Sequence, residues 1–278
     1  MLTNIGFNYI RYIKMKLYTF SKHIKFRKEA DCLLICDCKL LRDFKVDLAF
    51  ENFIHAVHKG IKERTTNTAR EKLLLKDFHS MHMLSTITIK SILPDEFPQA
   101  DVFMEKHLYH GKRPRTYEFL LEKCRENPTL FLALYIDKEL AGVVQGFPRD
   151  DYVLMSELAV DIRFQKRSLG TQLARAFEKN AKKLHYKKIK LGAEDKAISF
   201  YTSLGYNPSL FMQVPEEKKD EVISTLKEDK QEILDVRIVN HLAGIELAVD
   251  SIDQTKLDYL KKKFTPVSAQ FLFTKYLY

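Results

Sequence analysis

Cysteine is scarce in this chain: it occurs only as Cys32, Cys36, Cys38 and Cys124. Four residues so unevenly placed exclude a disulfide framework and suit a reducing compartment. Cys32, Cys36 and Cys38 fall at i, i+4 and i+6, which on a strand is one face. No fourth ligand follows at a metal-binding distance, since His55/His58 and His79/His82 lie well downstream. No metal is assigned, and the cysteines read as small buried hydrophobes. Long apolar runs are also missing, and none approaches the roughly 20 residues that span a bilayer. The opening stretch breaks its apolar positions with Arg11, Lys14 and Lys16 and has no small-residue cleavage site, so a secretory signal is not expected. Repeats and low-complexity segments are lacking as well. What remains is the pattern of a soluble, cytoplasmic globular protein, 45% hydrophobic and 30% charged. Its 278 residues allow one large domain or two modest ones.

Charge is unevenly distributed. The net +9 divides into 16 Lys and Arg against 9 Asp and Glu over residues 1–85, and 30 against 28 over the rest. The basic first part suits an acidic partner, a peptide or a nucleic acid, or is simply a solvated surface. Residues 1–19 are expected to be an extension. From His23 to Val46 the pattern is that of short strands, Cys32–Cys36 and Leu40–Val46 among them. After Asp47 the spacing of Phe50, Phe53, Ile54, Val57 and Ile61 becomes helical, with Gly60 near the helix end. A second helix is expected from about Thr68. Residues 20–84 thus read as a small winged-helix-like unit.

A second domain, 85–278, is expected to open with a strand over Thr86–Ile92, two helices and a break at Asn127-Pro128. Three strand-like runs follow, then a long helix over Leu169–Leu184, a strand, a short helix and another strand. That order predicts an α+β fold, a mixed and mostly antiparallel sheet flanked by helices. A C-terminal extension adds a charged helix, two strands with a turn near Ala243-Gly244, a further helix and a closing strand.

The chemistry concentrates in "ELAVDIRFQKRSLGTQLARAFEKNAKK". A strand ends at Val160, a basic loop follows, and a helix starts at once. Backbone N–H groups at a helix N-terminus favour anions. Gly170 permits close approach, and Lys166 and Arg167 add countercharge. This is a pyrophosphate cradle in outline. Gln165-x-x-Ser168-x-Gly170 resembles the cofactor motif of the GNAT acyltransferase superfamily, and "EDKAISFYTSLGYNPSLF" resembles its next motif. The likeness covers residues 86–215 and departs from the family twice. Ser168 stands at the first motif glycine, and Glu194 stands where many relatives carry Asn facing the pantetheine arm.

The resemblance implies acyl transfer from acetyl-CoA or another acyl-CoA to an amine. Leu158, Ala159, Val160, Gln165, Lys166, Arg167, Ser168, Leu169, Gly170, Thr171 and Glu194 would then contact the cofactor. An ammonium must lose a proton before it can attack. Glu157 is the expected base, directly or through water, and a strand N–H nearby would stabilise the thioester oxygen. Tyr201 matches the family's tyrosine near the leaving sulfur. The alternatives are a surface carboxylate at Glu157 and a packing aromatic at Tyr201.

Residues 20–84 resemble in pattern the PqqD-like domains that bind leader peptides in ribosomal peptide modification. The resemblance implies a peptide added as a strand near Phe26–Cys32, beside the helix at Phe53–Val57. Together the two likenesses suggest acylation of an amine on a leader-bearing peptide. Two other readings stay open: acetylation of a small amine or a protein, and a DNA-binding regulator with a degenerate acyl-CoA-sensing domain. Arg70, Lys72 and Lys76 on the second helix alternate with Glu71 and Asp77, which disfavours nucleic acid. No membrane partner is expected, and the oligomeric state is left open.

Overall fold

The computed structural model describes residues 15–61, 68–81, 83–193 and 195–278. Glu194 lies outside the described residues, as do residues 1–14 of the expected extension. The chain divides into two compact units, residues 1–147 with 157–180, and residues 148–156 with 181–278. This division runs through the second expected domain rather than between the two.

In the first unit, β1 (Met15–Phe20) begins inside the segment expected to be an extension and pairs antiparallel with β5 (Leu84–Ser91). Between them lie β2 (Ile24–Lys28), β3 (Cys32–Asp37) and β4 (Arg42–Asp47), a separate antiparallel sheet in the order β2-β3-β4. Helices α1 (Glu51–Lys59) and α2 (Ala69–Ser80) follow. Thr68 starts α2 with a capping box: its side chain accepts from Glu71 N–H while Glu71 accepts from Thr68 N–H. Phe20, Leu33, Ile35, Ile54, Val57 and Phe78 form the centre of a buried cluster that joins β1 to this module. Gly60 ends α1 at φ +91°, and a Cβ there would lie 2.7 Å from Gln172 Nε2. Only glycine fits both the angle and the approach.

The rest of the first unit holds α3 (Phe97–Met104), running on through a π-helical turn to Tyr109, and α4 (Tyr117–Glu126). Strands β6 (Phe131–Ile136), β7 (Glu139–Pro148) and the last part of β8 (Val153–Val160) extend the sheet as β1-β5-β6-β7-β8. Buried and half-buried residues alternate strictly along β5 and β8, the period-two signature of paired strands. Helix α5 (Leu169–Lys183) buries Leu169, Leu173, Ala174 and Phe177, spaced so that they share one face.

In the second unit, β9 (Lys188–Gly192) pairs parallel with the start of β8, the parallel element of an otherwise antiparallel sheet. Helix α6 (Ile198–Ser203), β10 (Asn207–Pro215), α7 (Lys219–Glu228), β11 (Ile233–Val239), β12 (Leu242–Ala248), α8 (Gln254–Phe264) and β13 (Ser268–Tyr276) complete the chain. The strand order here is β8-β9-β13-β10-β12-β11. The hairpin turn expected at Ala243-Gly244 lies instead at Asn240-His241, whose φ angles of 50° and 60° are those of a two-residue primed turn. Gly244 serves packing: a Cβ there would meet the Phe211 ring at 2.8 Å. No helix among the described residues is long and apolar enough to cross a membrane.

Candidate active site

Along β8, Val153, Met155, Glu157 and Ala159 face inward while the residues between them are half-buried. Period-two alternation therefore places a carboxylate on an apolar face, where an unpaired charge would cost several kcal/mol. Glu157 is 6% exposed and its oxygens are shared out. Arg115 Nη1 donates to Oε1 at 3.1 Å and Gln145 Nε2 donates to Oε2 at 3.0 Å. The same Gln145 nitrogen donates to the Tyr109 hydroxyl oxygen at 2.7 Å. Burial, and then the neighbouring Glu157 charge, push the Tyr109 phenol up, so it is a neutral hydroxyl at physiological pH.

Three separate elements deliver these partners. Tyr109 ends the π-helical turn after α3, and Gln145 lies inside β7. Arg115 sits in the segment before α4, with its guanidinium 5.2 Å from the Phe147 ring centre. Arg113 braces the same segment, forming a bidentate pair with Asp101 at 2.6 and 2.9 Å and lying 5.2 Å from the Tyr109 ring centre. The result is a buried polar cluster on the central strand, with a permanent cation on one side of the carboxylate and a neutral amide and phenol on the other.

The end of β8 is fastened where the loop begins. Asp161 accepts from the Arg163 backbone N–H at 2.9 Å and from its side chain, and those bonds hold the carboxyl at about 2. Gln165 Nε2 donates to the Val160 carbonyl at 3.0 Å. Lys166 and Ser168 both take left-handed conformations, at φ 60° and 57°. Glycine adopts that region freely, whereas a residue with a Cβ pays about 1 kcal/mol to enter it. The family-motif glycine that Ser168 replaces is thus explained by local backbone geometry. Helix α5 starts at Leu169, so the first N–H groups after it, at Gly170 and Thr171 among others, have no intrahelical acceptor.

Arg167 behaves differently from the other loop residues. It is drawn into the N-terminal module, where its Nη2 donates to the Phe20 carbonyl and, at 3.1 Å, to Thr19 Oγ1. Thr19 in turn donates to the His58 carbonyl at 2.9 Å. Burial lowers the pKa of the guanidinium, and its Nε has no hydrogen-bond partner among the described residues. Gln172, one turn into α5, donates to the Lys59 carbonyl. The helix start and the loop cation therefore brace the module. The groups that remain to hold a diphosphate are the backbone N–H groups from Leu169 to Thr171, the exposed Lys166 and the Ser168 hydroxyl, and this set fits such a group.

Leu158 and Val160 are half-buried, and Ala159 is buried with its carbonyl 3.2 Å from the point a Cβ on Gly142 would occupy. Tyr201 belongs to the second unit, on α6, 8% exposed. Its ring packs against Phe200, Tyr206 and Phe273 at centroid distances of 5.0, 5.8 and 6.3 Å. Sequence reading missed Tyr109, Arg115 and Gln145. A signal existed for Gln145 alone, as the one polar side chain in the apolar run of β7. His55 and His58, on α1, pack edge-on against the Phe26 ring at 5.2 and 5.3 Å.

The Acetyltransferase (GNAT) family model matches residues 89–206, from β5 to the residue before β10. That stretch is a GNAT acetyltransferase domain, an N-acyltransferase enzyme whose acyl donor is an acyl-CoA. Among solved structures, Ard1 from Thermoplasma volcanium is 18% identical, over 59% of this chain and 99% of that one, with a TM-score of 0.40. The ribosomal-protein-S18-alanine N-acetyltransferase of Escherichia coli is 16% identical, over 60% and 99%, with a TM-score of 0.41. The Drosophila melanogaster polyamine N-acetyltransferase is 13% identical, over 69% and 100%, with a TM-score of 0.43. No curated protein matches the chain.

Proposed function

We propose that this enzyme acylates an amine on a ribosomally made peptide that its N-terminal module recruits, with Glu157 as the base. The buried Glu157 cluster carries the reading. Acyl-CoA supplies a thioester, an acyl group on a good leaving thiolate. Glu157 takes the proton of the incoming ammonium, directly or through one water, so that the nitrogen lone pair becomes available. Arg115 donates to one carboxylate oxygen of Glu157 and Gln145 donates to the other. Those two donors fix the carboxylate's orientation, and Arg115 keeps a positive charge beside it in the pocket. Gly170, Thr171, Lys166 and Ser168 hold the diphosphate, and Tyr201 returns a proton to the departing sulfur.

The peptide part rests on the first module. Strand β2 is an edge of its three-stranded sheet, and Phe26 lies on it beside α1, between His55 and His58. An extended peptide added to that edge gains main-chain hydrogen bonds. Holding the acceptor there raises its effective concentration, so the catalytic pocket need not bind it tightly. The test is thiol release from acetyl-CoA and a longer acyl-CoA by the full chain, with leader-bearing peptides, small amines and proteins as acceptors. Phe26→Asp should raise KM for a peptide and leave kcat for a small amine unchanged. Efficient transfer to small amines or intact proteins, with peptides inert, would replace the peptide reading.

One observation favours a second reading. Arg167 links the cofactor loop to the Phe20 carbonyl, so occupancy of the loop and docking of the module share a residue. A regulator that senses acyl-CoA would be built this way. It predicts that acyl-CoA changes salt-dependent DNA binding and that no acceptor releases thiol.

A further inference from the structure

Strand β11 ends its sheet, with β12 as its only strand neighbour among the described residues. Its outer edge presents backbone N–H and C=O groups that could pair with another strand, a liability that proteins usually blunt with proline, lysine or cover. β11 has neither proline nor lysine. Instead Leu234, Val236, Ile238 and Val239 are 52%, 37%, 47% and 61% exposed, an apolar density unusual for a free edge. Its only charges are Asp235 and Arg237, on one face, joined by a bond from Arg237 Nε to Asp235 Oδ2 at 2.6 Å.

We infer that β11 is a homodimer edge, pairing antiparallel with β11 of a second copy so that Val236 lies opposite the partner's Val236. Symmetry limits the possible registers, and charge pairing selects among them: the one centred on Val236 sets both charges against opposite ones. Directly opposed residues in an antiparallel pair point to the same face, so the two-fold axis must pass midway between a residue and its own copy opposite it. Centred on Asp235, two carboxylates would face each other, and centred on Arg237, two guanidiniums would. Like charges directly opposed are destabilising. Centred on Val236, Asp235 faces the partner's Arg237 and Arg237 faces the partner's Asp235, with valine on valine between them. Leu234 and the partner's Ile238 then flank the charged pairs. The bulge between Ile233 and Asp235 marks where the regular ladder ends. A strand whose charge order is self-complementary in one register, and whose exposed residues are otherwise apolar, selects a second copy of itself as occupant.

The test is sedimentation of the full chain across micromolar to submillimolar concentration, with a cysteine cross-link to read the register. The wild type should dimerise. Arg237→Asp should weaken the dimer by about tenfold or more, the scale of two attractive cross-strand pairs made repulsive. The charge swap Asp235→Arg with Arg237→Asp should restore it. Arg237 also bonds Asp151, so circular dichroism and melting of each variant separate lost pairing from lost folding. Val236→Cys leaves both charges in place and should cross-link to its copy on mild oxidation, beyond the background set by exposed Cys38, whereas Asp235→Cys should not. A wild-type chain that stays monomeric, a dimer indifferent to Arg237→Asp, or cross-linking at Asp235 in preference to Val236 would each overturn the inference. So would a monomer whose edge is protected by an added peptide.

Discussion

Each unit buries a glutamate in the middle of a strand, and the two are solved differently. Glu157 in the first unit and Glu246 in the second are both 6% exposed. Glu246 is closed off by a direct pair with Lys190, whose side chain is 12% exposed, and by the Ser209 hydroxyl at 2.7 Å. Both of these partners lie on strands of the same sheet, Ser209 on the adjacent β10 and Lys190 on β9, two strands further along. Glu157 is held by a half-exposed guanidinium from a loop and by an amide that also serves a phenol. Burial of a carboxylate is therefore no mark of a site. What separates the two is where the partners come from: strands of one sheet for Glu246, and a strand together with the segment before α4 for Glu157.

That contrast can be broken by substitution. Glu157→Gln keeps shape and most hydrogen bonding but removes the base, so kcat/KM should fall about 1,000-fold while the melting temperature stays close to wild type. Steady-state kinetics with thermal melting check both halves. Glu246→Ala should do the reverse. It strands a nearly buried Lys190, costing about 3 kcal/mol in denaturant unfolding, with turnover per folded molecule unchanged. If Glu246→Ala abolished turnover at full stability, the comparison would be inverted.

Smaller effects sharpen it. Ser168→Gly relieves a left-handed serine and should stabilise the fold by about 1 kcal/mol, with tighter acyl-CoA binding in a calorimetric titration. Asp161 offers a third kind of buried carboxylate, tied chiefly to Arg163 with His107 Nε2 3.7 Å away, and lying at about 2, below the ordinary 3.9 or so of an unfolded Asp. Its folded value is depressed, so its stabilisation is complete above about pH 4 and is lost as pH falls through about 2. Asp161→Asn should flatten that part of the stability-versus-pH curve, measured by denaturant titration at successive pH values.

Much of the acyltransferase half could be read from the chain. The alternation through Glu157 to Val160, the polar loop and the amphipathic run from Leu169 describe a strand, a turn and a helix whose N-terminus is open to an anion. Local periodicity encodes these because each depends on residues a few places apart. The partners of Glu157 do not. Arg115 lies 42 residues away and Gln145 lies 12 away on another strand. The hairpin at Asn240-His241 was misread because the glycine three residues on looked like the turn former, when its role is to admit the Phe211 ring.

The sequence by itself determined where a strand, a basic loop and a helix start would follow one another, with Glu157 near the end of that strand. Backbone dihedral preference and side-chain period act over short range and leave a pattern in the chain. Only the tertiary structure decided that Arg167 turns to the Phe20 carbonyl rather than to the loop, and that Tyr109, Gln145 and Arg115 converge on Glu157. Those outcomes depend on which distant groups need a partner once water has been excluded, and no run of neighbouring residues records that.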